Sequence, residues 1–155
     1  MTITSPLSPD AQKATGEALQ ATLVDLVDLS LVAKQAHWNV VGRNFRSVHL
    51  QLDEVVTAAR TFADQVAERA AAIAVNPDGR SVTVAAETSL PQVAPTWVSD
   101  AEVVEAMVAA MDGMANGLRE RISAVGEYDP VTQDLLIEIT EAIEQHRWMF
   151  QAQTS

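Results

Sequence analysis

The sequence predicts an all-α protein, a single domain (1–155) in which four long helices form a bundle with one long crossover. Only six glycines and six prolines interrupt the 155 residues, and 48% of the residues are hydrophobic, which fits a soluble helical domain. Apolar side chains recur at intervals of three and four, the period of a helix with one buried side. The stretch between the second and third predicted helices is long, so it must cross the bundle.

The first predicted helix follows a short N-terminal tail, residues 1–8. Ser8-Pro9-Asp10 is a favourable helix start, because proline is tolerated in the first turn. Small or apolar residues then recur every three or four positions as far as about Val40, and they include Leu19, Leu23, Leu26, Ser30, Ala33 and His37. This pattern predicts an amphipathic helix with His37 on its apolar side.

The second predicted helix runs from about Phe45 to Ala74. Gly42 interrupts the chain before it, Asn44 can cap it, and the turn sequence NPDGR ends it. A crossover of residues 75–98 follows, in which SVTVAAETS can form a short helix. Because this link must span the bundle, we expect helices one and two to pair antiparallel, and helices three and four likewise.

The third and fourth predicted helices each begin at a recognisable cap. Ser99 and Glu102 make a capping-box pattern for a helix that ends near Gly126. Asp129-Pro130 opens the fourth helix. Its predicted buried side carries Leu135, Ile139, Ile143 and Phe150.

Metal-ligand side chains form one stripe along the second predicted helix. His49, Asp53, Asp64 and Glu68 fall at roughly 0°, 40°, 60° and 100° on a helical wheel. Along the axis they separate into two pairs, because the 11 residues from Asp53 to Asp64 span about 16.5 Å. Metal–ligand bonds are only about 2.0–2.2 Å long, so one ion cannot be held by both pairs of a single straight helix.

Two antiparallel copies of this helix remove the difficulty. When the two copies are related by a two-fold axis, the His49/Asp53 end of one helix meets the Asp64/Glu68 end of the other. The dimer then has two equivalent sites. The axis would pass near Ala58 and Ala59, whose small side chains would permit close approach. The spacing therefore suggests a site shared between subunits, with ligands suited to iron or another first-row divalent metal.

The motif AHWNVVGRNFRSVHLQLDEV, followed by Asp64 and by AERA, resembles the signature of the Dps family, the mini-ferritins. His37, His49, Asp53, Asp64 and Glu68 stand at separations of 12, 4, 11 and 4, similar to the family's intersubunit ferroxidase centre. The similarity also covers the flanking helices and the AETS stretch. Either ligand pair alone would more often be a surface hydrogen bond or a solvated acidic face, and the complete set supports a metal site.

The resemblance implies a ferritin-like four-helix bundle assembled into a hollow homododecamer, with the short crossover helix at a dimer interface. It implies that the five residues bind iron and oxidise Fe²⁺ to Fe³⁺, with hydrogen peroxide preferred over dioxygen as oxidant. The mineral would be stored inside the cage, which protects against oxidative stress. Whether one or two irons are held at each centre stays open, as do a site occupied by zinc and a cage whose site is inactive.

Several residues near these ligands have two interpretations. Trp38 follows His37 and either packs at a helix end or, by the resemblance, lies beside the iron site and absorbs oxidising equivalents. Acidic residues favour helix N-termini, but the resemblance also suggests that Asp129, Asp134 and Glu138 line an iron-entry pore. Minor expectations are a mineral-nucleating role for Glu54, an inter-subunit salt bridge for Arg60, and packing for His146 and Trp148.

The charge distribution makes direct DNA binding doubtful. The chain carries a formal charge of −11 with only 10 Lys plus Arg, whereas DNA affinity depends on lysine and arginine contacts to phosphates. Residues 1–16 contain one lysine and one aspartate, and residues 148–155 contain no charged side chain. Some Dps proteins bind DNA through lysine-rich tails, and this chain departs from that pattern. A nucleoid-binding architectural protein is the alternative function.

Other sequence features concern the compartment and exclude some site chemistries. The chain has no cysteine, which excludes disulfides and thiolate metal sites. We see no signal peptide, and charges interrupt every apolar run short of the ~20 residues that span a membrane. We therefore expect a cytoplasmic protein, with nucleoid association as a further option.

Overall fold

The computed structural model describes residues 3–154, which fold into five α-helices and one pair of two-residue strands. Residues 1 and 2 of the predicted tail 1–8 lie outside the described part. In chain order the elements are α1 (Pro9–Asn39), β1 (Val40–Val41), α2 (Phe45–Ala72), α3 (Ser81–Glu87), β2 (Val98–Ser99), α4 (Asp100–Val125) and α5 (Pro130–Gln151). The principal packing is α1 against α2 and α4 against α5, with α1 also on α4. The predicted bundle with one crossover that carries a short helix is confirmed.

The helix starts follow the predicted caps with one exception. Ser99 and Glu102 form both hydrogen bonds of a capping box on α4, and the Asp129 side chain accepts the Val131 N–H at the start of α5. The Ser8 side chain accepts the Ala11 N–H on α1. Asn44 occupies the capping position of α2, but its side chain makes no capping hydrogen bond. The predicted capping position is therefore confirmed, and only the capping hydrogen bond that an asparagine side chain can make is absent.

The core of the bundle is aliphatic and rich in methionine. Met107, Met111 and Met114 of α4 are fully buried, and their unbranched side chains can fill irregular space between helices. Three of the four residues predicted on the buried side of α5, namely Ile139, Ile143 and Phe150, are buried. The fourth, Leu135, is only partly buried, and its neighbour Leu136 is buried instead. No helix within residues 3–154 is long and apolar enough to cross a membrane.

Two buried aspartates of α1 hold the crossover on the bundle. Asp25 pairs with the Arg121 guanidinium of α4 at 2.7 Å and accepts the Ser89 hydroxyl at 2.9 Å. Asp28 accepts hydrogen bonds from Thr88 at 2.5 Å and Gln92 at 2.8 Å. Buried carboxylates are stable only when hydrogen-bonded or paired. The polar crossover side chains satisfy this requirement, and they fix the path of the link.

A short parallel strand pair, which was not predicted from the sequence, joins the link between α1 and α2 to the end of the crossover. β1 pairs with β2 in the register Val40 with Val98 and Val41 with Ser99. This pairing places the start of α4 against residues 40–44, which connect α1 to α2.

Candidate metal centre

The α1–α2 hairpin stacks the two histidine rings. Their centroids are 3.6 Å apart and the ring planes are inclined by 22°. His37 Nδ1 lies 2.8 Å from the main-chain oxygen of His49, and His49 Nδ1 lies 2.9 Å from the main-chain oxygen of His37. Because a carbonyl oxygen only accepts, each Nδ1 carries a proton and donates it. In the neutral rings both Nε2 atoms therefore keep the lone pair that a metal ion needs.

Asp53 lies next to this histidine pair and is bound by a lysine. Its Oδ1 is 3.4 Å from His37 Nδ1 and is also in direct hydrogen-bonding contact with the Lys34 ammonium. The Lys34 hydrogen bond, helped by nearby positive charge, holds the pKa of Asp53 below its ordinary value. Asp53 is therefore ionised at neutral pH. Sequence reasoning missed Lys34, although its position one turn before His37 on α1 was a usable signal.

Asp64 and Glu68 lie further along α2 and are exposed. In the part of the chain that the structure describes, no three His, Asp or Glu side chains are grouped so that they could hold a metal ion. In a single chain His37, His49 and Asp53 are therefore neighbours that do not form a three-ligand site, and Asp64 and Glu68 form a separate exposed pair.

The residues exposed near the middle of α2 differ from those expected. Ala59 is 1% exposed and packs in its own chain's core, and Ala58 is half-buried. The exposed positions around this midpoint are Thr57, Arg60 and Thr61. Ala59 therefore does not face a second copy, and the expectation is wrong for this residue, because its side chain packs in its own chain's core. For the half-buried Ala58 the close approach of a second copy stays a prediction.

Phe45 and Trp38 near the histidine pair, and Trp148 on α5, are exposed aromatic residues. The Phe45 ring lies 4.9 Å from the His49 ring, and Phe45 is 44% exposed. Trp38 is 63% exposed and Trp148 is 62% exposed. Neither tryptophan side chain is mainly buried in its own chain. Packing within one chain therefore does not explain why a tryptophan occupies either position.

The acidic residues at the start of α5 are in different environments. Asp129 is 3% exposed, and its carboxylate binds Arg69 at 2.6 Å and Thr132 at 2.5 Å. Burial opposes its ionisation, but the hydrogen bonds from Arg69 and Thr132 outweigh burial and lower the pKa of Asp129. Asp134 and Glu138 are exposed, so they are the two members of the predicted pore set whose carboxylates face solvent in the single chain.

His146 of α5 stands near Glu54 of α2. The Nδ1 atom of His146 is buried and has no hydrogen-bond partner among residues 3–154. Burial lowers the pKa of His146, and the negative charge of Glu54 partly offsets this effect. Glu54 itself is exposed. The His146 ring is therefore neutral at physiological pH.

Comparison with known proteins places the chain in a family. The ferritin-like domain family matches residues 16–155. DNA protection during starvation protein 2 of Deinococcus radiodurans is 34% identical over 90% of this chain, which spans 58% of that protein's length. DNA protection during starvation protein of Mycolicibacterium smegmatis is also 34% identical, with 94% of this chain and 80% of that protein covered.

Solved structures agree with these sequence matches. The structure of Dps from Microbacterium arborescens in the high iron form superposes with a TM-score of 0.92 at 32% identity, and covers 97% of this chain and 98% of that one. The chain therefore belongs to the Dps family of ferritin-like proteins.

Proposed function

We propose that this protein stores iron and oxidises Fe²⁺ at centres shared between two subunits. His37, His49 and Asp53 of one chain would bind the metal together with Asp64 and Glu68 of the partner subunit. The observation that carries the proposal is that the pairs His49/Asp53 and Asp64/Glu68 share one stripe of α2 but lie too far apart for a single ion. His37 of α1 stacks on His49 at one end of this stripe. Membership of the Dps family supports iron storage as the general function.

The ligand chemistry suits oxidation. The Nε2 lone pairs of His37 and His49 are free to bind Fe²⁺, and neutral imidazoles leave the initial affinity moderate. The carboxylates stabilise Fe³⁺ more than Fe²⁺, because anionic oxygen favours the higher charge. When two Fe²⁺ ions are oxidised by one hydrogen peroxide, each gives one electron. The O–O bond then breaks, two protons are taken up and two waters form, so no hydroxyl radical is released.

Assembly into a hollow homododecamer would give the oxidised iron a place to mineralise. The Microbacterium arborescens relative is described in a high iron form, which supports iron as the substrate here. Asp134 and Glu138, exposed near the start of α5, would line three-fold pores. A ring of carboxylates would draw in Fe²⁺ by its negative potential. Trp38, exposed beside His37, would face the shared centre and absorb stray oxidising equivalents.

Protection of DNA would follow from removal of iron and peroxide. Relatives carry the name DNA protection during starvation protein, but the formal charge of −11 disfavours direct contact with phosphates. The alternative is a nucleoid-binding architectural protein. A gel shift at low salt without added metal separates the two, because clear retardation would favour the architectural function.

The test of the centre is Fe²⁺ loading without oxygen, followed by hydrogen peroxide and measurement of ferric absorbance. We expect fast oxidation by the wild type and a large loss in Asp64→Ala/Glu68→Ala. The matched control is Glu120→Ala/Glu127→Ala, which removes two exposed carboxylates from the α4 region. This control should oxidise iron as the wild type does.

Two results would contradict the proposal. Equal rates in the wild type and in Asp64→Ala/Glu68→Ala would mean that oxidation occurs elsewhere. An intact cage that binds metal but oxidises no iron would indicate a structural role. Competition between Zn²⁺ and Fe²⁺ in the same assay identifies the metal that the ligands prefer, since zinc also binds nitrogen and oxygen donors.

A further inference from the structure

We propose that Asp100 is a positioning residue of the iron centre. It would act on the histidine pair through the link between α1 and α2, and it would bind no metal itself. The inference rests on the proposed function for the identity of the metal. The contacts that carry it involve only the described residues of one chain.

Asp100 touches this link at two points. Its Oδ2 accepts the main-chain N–H of Asn44 at 2.6 Å, while its Oδ1 accepts the N–H of Ala101 at 3.0 Å. Gly42 adopts φ +139°, and a Cβ atom there would lie 2.5 Å from the Asp100 carboxyl group. The carboxylate therefore packs against the backbone of Gly42, which has a conformation that residues other than glycine rarely adopt.

The same carboxylate serves the start of two helices. It stands in the first turn of α4, and it reaches the backbone of Asn44, whose own side chain does not cap α2. Negative charge at a helix N-terminus is favourable, because the unpaired N–H groups there carry partial positive charge. Asp100 thus fixes the backbone of the residue that begins α2, although it does not replace the missing side-chain cap on the first-turn N–H groups.

The geometry of the histidine pair depends on this link. His37 lies near the end of α1 and His49 near the start of α2, and residues 40–44 are the only residues between the two helices. Each ring donates to the main-chain oxygen of the other histidine at 2.8 Å or 2.9 Å. A rotation of either helix end would therefore alter both hydrogen bonds, and with them the direction of both Nε2 lone pairs.

A role limited to capping α4 does not explain these contacts. Ser99 and Glu102 already form a complete capping box on α4. The hydrogen bond to Asn44 and the close contact with Gly42 instead involve the link between α1 and α2. This separation gives a matched control, because Glu102→Gln weakens the α4 cap and leaves the Asp100 contacts in place.

The test measures Fe²⁺ affinity without oxygen, by calorimetry on the assembled protein. Loss of a group hydrogen-bonded directly to a metal ligand typically costs about 10–100-fold in affinity. Asp100 acts through the backbone of Asn44, so we expect Asp100→Ala to fall at the lower end and bind Fe²⁺ about tenfold more weakly. Asp100→Asn keeps an acceptor oxygen for Asn44 and should restore affinity to within about threefold. Glu102→Gln should match the wild type.

Two readouts without iron keep this test separate from the proposed function. The chain has three histidines, so nitrogen NMR of histidine-labelled protein can resolve the tautomers of His37 and His49. We expect Asp100→Ala to mix tautomers that are pure in the wild type, and hydrogen exchange at the Asn44 amide to speed up. A wild type that fails to bind Fe²⁺ would refute the proposed function, and these two readouts would still decide the role of Asp100.

Unchanged Fe²⁺ affinity and unchanged histidine tautomers in Asp100→Ala would overturn the inference. An equal loss of affinity in Glu102→Gln would overturn it as well, since the effect would then come from the α4 cap. If Asp100→Ala does not fold, Gly42→Ala provides the second variant. Its added methyl group displaces the carboxylate and should weaken Fe²⁺ binding in the same direction, and wild-type affinity in that variant would also refute the inference.

Discussion

Replacing Lys34 by methionine should tighten Fe²⁺ binding at the proposed centre. The Lys34 ammonium contacts Asp53 Oδ1, so a metal ion must share or displace a resident positive charge on its own ligand. Methionine keeps the length and the apolar stem of the side chain and removes the charge. Asp53 would stay ionised, because the loss of Lys34 returns its lowered pKa only towards the ordinary value of about 3.9.

The size of the effect follows from the distance and from solvent exposure. A metal ion on Asp53 would lie on the order of 4 Å from the ammonium, given metal–oxygen bonds of about 2 Å. Two unit charges at 4 Å interact by about 1 kcal/mol in water and about 4 kcal/mol at an effective dielectric constant of 20, and the double charge of Fe²⁺ doubles both values. The Asp53 side chain is 45% exposed, which favours the lower end of this range. About 2 kcal/mol corresponds to on the order of 30-fold tighter binding.

The chain provides its own control for this prediction. Its two lysines are Lys13 and Lys34, and Lys13 lies about 30 Å away along α1 at ~1.5 Å per residue. Calorimetric Fe²⁺ titration without oxygen should show tighter binding by Lys34→Met and no change in Lys13→Met. Lys34→Arg, which keeps the charge, should resemble the wild type. The reasoning is refuted if both methionine variants tighten binding equally, or if Lys34→Met binds no more tightly than the wild type.

Two further predictions concern the acidic residues of α5. Asp129→Asn should lower the free energy of unfolding in urea by about 2 kcal/mol, because it leaves the partly buried Arg69 without its charged partner. The pKa of Asp129 is lowered in the folded chain, so this difference should be complete above pH ~3.9 and vanish as the pH falls through the folded-state pKa. A difference that grew on acidification would contradict this account. Asp134→Asn/Glu138→Gln should slow Fe²⁺ uptake several-fold at low salt and little at high salt, because salt screens exposed charges. Equal uptake rates at low salt would refute the pore.

Helix positions were predictable because their signals are local. Capping residues and prolines mark the starts of α1, α4 and α5, and apolar periodicity gives their lengths. The parallel pairing of Val40–Val41 with Val98–Ser99 was not predictable, because two residues carry no periodicity. The hydrogen bond from the Asn44 N–H to Asp100 also escaped prediction, since the two residues are 56 positions apart in the sequence.

The residues of the candidate site were predictable from the sequence, but most of their arrangement in space was not. Helical spacing placed His49, Asp53, Asp64 and Glu68 on one stripe, and the structure brings His37 to the histidine end of it. The reciprocal hydrogen bonds of the two histidine rings depend on the path of the link, which spacing does not describe. The contact of Lys34 with Asp53 depends on how α1 is rotated against α2. Such rotations are set by side-chain packing between the helices, and a short sequence motif does not predict them.

The hairpin that holds the histidine pair has a consequence for the order of folding. The hydrogen bonds between His37 and His49 join residues that are 12 apart in the chain, whereas the Arg121–Asp25 bond joins residues 96 apart. Contacts between near neighbours form faster, because less loop entropy is lost when they close. We therefore expect the α1–α2 hairpin to form first and α4 to dock on it afterwards. Each newly made subunit would carry its histidine half-site before the rest of the bundle closes, and oxidation would begin only once a partner supplies the carboxylates.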